Sequence, residues 1–328
     1  MNILMIGGAC SLIDQLILKL RKEGHRVFLL TGSKYKKSKY EKVFERYDFP
    51  YEGDYLHEIF DSVSPDVTVF MGAFDSNYRW NEEDREAVRF TSNLMNMMVA
   101  CSEIKKGRVI FISSDDVYEQ DYEDSICEEE PTSGRTFRGA ALAQAEQICA
   151  NFNKNWGMDV LVLRLAHLYH IPKKLEEADN LPAKMCIEAM RDGAIQADDG
   201  HEFSLLYEND AVEYIYRAVH QTEHQYDLYH LASDHSVSEV KLAGLIRQNM
   251  NQNIGIATFS GVGGKHVLDG SRFAAEYGVQ EFCSLDKYIG QLTAYMQKHK
   301  AVFLENKNFF GAAAEKMGMG CPGIIAFC

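Results

Sequence analysis

A chain of 328 residues, 46% apolar and 25% charged with only 6 prolines, can bury one large core or a core with a smaller lobe, and its composition excludes a disordered protein. A formal charge of −14 repels phosphate backbones and anionic lipid, which argues against nucleic-acid and membrane-surface partners. No apolar run is long enough to span a bilayer, and the eight cysteines (10, 101, 127, 149, 186, 283, 321 and 328) form no CxxC pair, so a cytoplasmic protein with free thiols and no metal site is expected.

Residues 2–6 (NILMI) read as a first strand that leads straight into Gly7-Gly8, without the basic flank of a signal peptide. Leu12, Leu16, Ile17 and Leu20 give residues 10–23 helical spacing. Apolar strand-like runs follow at 25–30, 65–73, 108–114 and 158–166, each after a helical segment. Continuous apolar strands between helices predict a parallel sheet covered on both faces, which is a Rossmann-type, doubly wound α/β fold. Such sheets bind ligands at the carboxyl ends of their strands. Beyond residue 170 the alternation loosens, with helices predicted at 182–192, 208–220, 237–250 and 284–298. The expected division is a dinucleotide-binding unit over 1–170 to which some later segments return, a smaller C-terminal α/β substrate lobe over 171–304, and an irregular tail over 305–328 that opens a further segment.

The residues that follow the strands carry a resemblance. Ile6-Gly7-Gly8-Ala9 matches a TGGxGxxG turn, and Gly53-Asp54 matches a GD pair that meets adenine. Residues 65–73 (PDVTVFMGA) follow the pattern PDVVIHLAA, and 111–118 (FISSDDVY) follow SSxxVYG. Glu130-Pro131 and Ala145-Glu146-Gln147 match the flanks of a catalytic tyrosine; Arg164 opens a segment like RxxNVYGP, and Asn209-Asp210-Ala211-Val212 is like VxDvA. In this order and spacing the chain resembles the extended short-chain dehydrogenase/reductase family, the nucleotide-sugar epimerases and dehydratases, from about residue 1 to about 300. The resemblance implies an NAD(P) site lined by Gly7, Gly8, Cys10, Ser11, Leu12, Thr31, Lys34, Asp54, Gly72, Ala73 and Ser113. It implies a nucleotide or nucleotide-sugar site at Ser114, Tyr118 and His167, and a homodimer built on the helices near 84–104 and 137–155 through Leu94, Met98, Leu142 and Ile148.

The departures are as informative. The second and third glycines of the turn are Cys10 and Ile13, so a Cβ narrows the approach to a pyrophosphate and a branched side chain pushes the helix away. The amides from Cys10 to Leu12 still point at that place. After the second strand comes Thr31-Gly32-Ser33-Lys34 with no acidic residue to hold a ribose 2′-hydroxyl, a pattern that favours NADP over NAD and is also that of a solvated basic loop. Aligning Glu146-Gln147 with the family's EQ sets the catalytic tyrosine at Arg138 and its lysine at Leu142. A phenol, with its ordinary pKa of ~10, must become about a thousandfold more acidic to act near neutrality, and in the family the lysine and nicotinamide charges bring this about. A guanidinium does not deprotonate and leucine carries no charge. Tyr35/Lys39 lies too far upstream to substitute, and Tyr169/Lys173 is interrupted by Pro172. Ser114 remains as a remnant of the catalytic set, and His167, in place of an asparagine, is a candidate substitute base.

Elsewhere His220 and His224 read as a surface pair on one helix, 128–130 (EEE) as a solvated loop, 94–99 as a packed helix face, and 261–265 as a flexible loop. Three functions stay open: a nucleotide-sugar binder without the family's redox catalysis, an active NAD(P)-dependent epimerase, dehydratase or reductase with an unusual acid/base, and a non-catalytic assembly module.

Overall fold

The computed structural model describes residues 1–7, 10–31, 42–45, 53–74, 78, 80, 84–104, 107–118, 122–233, 236–250, 253–261, 264–279 and 283–304. Its elements in chain order are β1 (Asn2–Ile6), α1 (Ser11–Lys22), β2 (Arg26–Thr31), β3 (Lys42–Glu45), α2 (Gly53–Val63), β4 (Val67–Phe70), α3 (Asp84–Ile104), β5 (Arg108–Ser114), α4 (Phe137–Trp156), β6 (Val160–Leu165), β7 (His167–Tyr169), α5 (Leu181–Asp192), β8 (Ala194–Asp198), β9 (Glu202–Tyr207), α6 (Glu208–His220), β10 (Leu228–Leu231), β11 (Ser236–Ser238), α7 (Glu239–Met250), β12 (Gly255–Phe259), β13 (Lys265–His266), α8 (Ser271–Tyr277), α9 (Leu285–Lys298) and α10 (Lys300–Leu304).

Seven strands form one sheet in the order β10-β6-β5-β4-β1-β2-β3, and every pairing is parallel. The expected doubly wound α/β architecture is therefore what the chain adopts. Strands β4, β5 and β6 are buried along their whole length, as a sheet with helices on both faces requires. The strand order reverses between β1 and β4, which opens a crevice outside their carboxyl ends. Gly7 turns the chain there with φ of +105°, and a Cβ on it would lie 2.9 Å from the Met71 carbonyl carbon and the Gly72 nitrogen. Only glycine lets these two strand ends come so close.

Among the described residues there are two hydrophobic clusters. The first is built from the strands of the seven-stranded sheet and the helices packed on it, and takes in residues from α6, β10 and α8 (Ile215, Leu231 and Phe273 among them). The second joins Tyr169, α5, Phe203, Leu205, α7, α9 and Phe303. Short strands join these elements: β9 pairs with β7, β11 and β13, and β8 with β12. The strand β3 was not expected from the sequence, because Lys42-Val43-Phe44-Glu45 offers only two apolar residues between charged ones.

Several local expectations change. Met97, Met98 and Leu94 are fully buried, but Met95 and Val99 are each 41% exposed, so 94–99 is not one packed face. His220 ends α6 and His224 lies beyond it, so they do not share a helix. His220 Nε2 lies 2.7 Å from His25 Nε2, and His224 Nε2 lies 2.9 Å from Asp159. Glu128 is not solvated: it is 9% exposed and accepts the His230 backbone amide at 3.1 Å. In 261–265, Lys265 belongs to β13, while 262 and 263 lie outside the described residues. The six described cysteines are free thiols, four of them buried. No described helix is long and apolar enough to cross a membrane.

Candidate functional site

At the crevice, Cys10 is the N-cap of α1 in an extended conformation, and its side chain makes no capping hydrogen bond. Ser11 and Leu12 open the helix, and Ile13 is fully buried. The Ser11 hydroxyl donates to Glu208 Oε2 at 2.9 Å, and Gln15 Nε2 donates to the same oxygen. Glu208 is the first residue of α6 and is 5% exposed. Burial pushes its carboxyl above the ordinary range, against the opposing pull of His170. Thr31 closes β2 fully buried, and Gly72 and Ala73 form a buried single turn after β4. Asp54 is exposed in the first turn of α2. Gly8, Lys34 and the Tyr35/Lys39 pair lie outside the described residues.

The chemistry-bearing cluster stands where β5 ends. Ser114 caps a single helical turn, Asp115–Val117, its oxygen accepting the Asp116 amide at 3.2 Å. The Ser114 hydroxyl lies 3.1 Å from Asp115 Oδ1 and 3.0 Å from Asp116 Oδ2, and its one proton can serve only one of them at a time. Asp115 Oδ2 sits 2.6 Å from His167 Nδ1 and 3.8 Å from His266 Nε2. Burial opposes charge on Asp115, but His167, His266 and Ser114 outweigh it and hold the carboxyl down at about 2. Burial likewise opposes the imidazolium of His167; Asp115 more than offsets it and raises that imidazole above its usual range, with Arg138 pulling the other way. Raised in this way, the imidazole holds its proton to higher pH than a free histidine does, which favours proton donation over action as a base. Its side chain is 37% exposed and so within reach of a ligand.

Arg138, in the first turn of α4, is ion-paired with Asp116, and its guanidinium carbon is 5.6 Å from the centre of the Phe74 ring. One turn on, Leu142 is fully buried in the first cluster. The helix can approach this closely because position 139 is glycine: a Cβ there would meet the Asp116 carbonyl oxygen at 2.2 Å. Tyr169 is buried with its ring 4.2 Å from that of Tyr288, so it belongs to the second core.

Behind the cluster lies a buried ionic network. Arg164 grips Glu146 through Nε at 3.0 Å and Nη2 at 2.6 Å, and Ser113 donates to the same carboxylate at 2.6 Å. Arg164 also bonds the Tyr118 hydroxyl, which lies 2.6 Å from His230 Nε2. Tyr118 and Ser113, expected to face ligand, are thus 3% and 0% exposed and engaged inside this network. Among the described residues no group of His, Cys, Asp and Glu is arranged to hold a metal ion.

The fold therefore gathers Ser114, Arg138 and His167, as expected, around two residues that sequence reasoning passed over, Asp115 and Asp116. Both fill variable positions of the SSxxVY pattern, and their adjacency was the available signal. Nothing local announces Glu208 or His266, which reach the crevice from elements about 200 and 150 residues away from α1 and β5 in sequence.

Solved structures with this fold include the UDP-glucose 4-epimerase of Thermotoga maritima with UDP-glucose, at TM-score 0.77 and 19% identity over 92% of this chain and 100% of that one. The dTDP-glucose 4,6-dehydratase of Bacillus anthracis in complex with NAD gives 0.76 and 15% over 92% and 98%. The UDP-glucuronic acid 4-epimerase of Bacillus cereus with UDP-glucuronic acid and NAD gives 0.73 and 14% over 91% and 100%. No curated protein matches the chain in sequence. The family model for the NAD dependent epimerase/dehydratase family matches residues 3–232, most of the chain and nearly all of the seven-stranded unit, and the chain belongs to that family.

Proposed function

We propose that this protein binds a nucleotide sugar in the crevice at the strand ends and does not run tyrosine/lysine hydride chemistry on it. The observation that carries the reading is the pair at Arg138 and Leu142: the first is tied to Asp116 and the second is sealed in the core. Neither position offers a phenol or an ammonium, and both side chains are committed to other contacts. Turnover of a nucleotide sugar by the purified protein, with NAD(P) bound, contradicts the reading.

The described residues on either side of the turn suit a dinucleotide. Gly7 allows close approach, α1 has no side-chain cap, and Thr31, Gly72 and Ala73 line the same strand ends. The charge does not suit it, because the Glu208 carboxylate is bound to the first turn of α1. We therefore read NAD(P) affinity as weakened, with NADP favoured where any is retained. Bound, such a cofactor would supply hydride acceptance; Cys10, Ser11 and Leu12 would offer it backbone amides.

One observation favours a second reading, an enzyme with a different acid/base. The 2.6 Å contact between Asp115 and His167 gives a carboxylate-oriented imidazole with an exposed edge. That reading requires a rate that collapses in His167→Ala and Ser114→Ala, and silence in both ends it. A homodimer through α3 and α4 is also proposed. Leu94, Met98 and Leu142, expected at that contact, are consumed by the monomer core, and Val88, Met95 and Val99 are the exposed apolar residues of α3 that remain for it.

A further inference from the structure

We infer that Glu208 is a specificity-determining residue, whose carboxylate sits beside the first turn of α1 and disfavours a ligand that brings a diphosphate there. The inference rests on the reading that this crevice takes a nucleotide-type ligand, and it concerns the charge such a ligand meets.

Glu208 and Ser11 are each the first residue of a helix, α6 and α1, and a 2.9 Å hydrogen bond joins them. Gln15, one turn into α1, donates to the same Oε2. Helix N-termini carry partial positive charge and unpaired amides, which is what draws phosphate to them. Here the chain brings its own anion to that region. The carboxylate is 5% exposed, so solvent screens it little. Of its charged neighbours, Asp179 and Glu177 add like charge, and His170 opposes them. Lys19, the next cation along α1 on that face, is paired with Glu213. A diphosphate entering beside α1 thus meets a buried negative charge, whereas an uncharged nucleoside meets only hydrogen-bonding groups.

A purely structural role, pinning α6 to α1, has a different signature. Glu208→Gln keeps the size of the side chain and an acceptor for Ser11 and Gln15 but removes the charge, and Glu208→Ala removes both. The test is calorimetric titration of the full chain and both variants with NADH, NADPH and adenosine, alongside their melting temperatures. Glu208→Gln is expected to bind both dinucleotides about tenfold or more tighter than the wild type. Adenosine affinity should stay within about twofold, and the melting temperature within ~2 °C. Unchanged dinucleotide affinity in Glu208→Gln, including no binding to either protein, overturns the inference. So does an equal gain for adenosine, which would mean that the crevice had opened and not that its charge had fallen. A parallel titration with UDP-glucose reports on the nucleotide-sugar reading alone: its failure beside a dinucleotide gain sinks that reading and leaves Glu208 in its role.

Discussion

In the proposed reading, Arg138 is where the family resemblance and the chemistry part. A guanidinium cannot exchange a proton with substrate near neutrality, and this one is committed to Asp116. His167 is a half-buried titratable group in the same cluster; burial opposes its charge, and Asp115 outweighs burial and raises its basicity. Asp115→Asn should therefore lower the His167 pKa, since it removes the charge that favours the imidazolium. An NMR titration of the His167 ring checks this: a midpoint above 6.5 in the wild type and a clearly lower one in the variant are expected. An unmoved midpoint means that Asp115 does not orient the ring. The proposed loss at positions 138 and 142 rests on the sequence alone, where Glu146-Gln147 sets the register of α4. The Asp115–His167 pair was not legible there, since β5 and β7 belong to different sheets and their ends come together only in the folded chain, and a pair of aspartates in a loop usually marks a solvated turn.

Among the elements, α4 matters most, because its first turn is pressed against the Asp115–Val117 turn. A Cβ at Gly139 would collide with the Asp116 carbonyl, which is backbone and cannot swing aside. Gly139→Ala is expected to cost about 1–3 kcal/mol in chemical denaturation, and more if the helix cannot retreat. Gly157, the left-handed C-cap of the same helix, has open space around it. Gly157→Ala should therefore cost only the ~1 kcal/mol of its left-handed backbone. Equal costs at the two positions would mean that the close approach of α4 is not tight. The long elements of the seven-stranded unit were readable because continuous apolar runs and helical spacing each leave a strong period. The short strands β3, β7, β8, β11 and β13 were not. Each spans two to five residues, and their pairing is decided by neighbours distant in the chain.

Across the molecule, the buried network behind the site ties stability to pH. Burial, and then Arg164, push the fully buried His230 down to about 3. The folded state thus keeps this imidazole neutral, while the unfolded chain takes up a proton below about 6.5. Its contribution is complete above 6.5 and is lost as pH falls from there toward 3, at up to ~1.4 kcal/mol per pH unit. Denaturation at pH 7 and pH 5 should show that loss, and His230→Gln should flatten it; a wild-type curve already flat over this window contradicts the assignment. Assembly is tested at the same scale. Light scattering is expected to give a dimer that Met95→Asp or Val99→Asp dissociates, and a wild-type monomer removes the α3/α4 contact. The central claim, a crevice that holds a nucleotide sugar without transforming it, is tested most directly by one mass-spectrometric experiment. The protein is incubated with UDP- and dTDP-hexoses and both nicotinamide dinucleotides, desalted and denatured, and the released small molecules are identified. An unaltered nucleotide sugar released from the protein is the expected result; an epimerised or dehydrated sugar, or no sugar at all, contradicts the account.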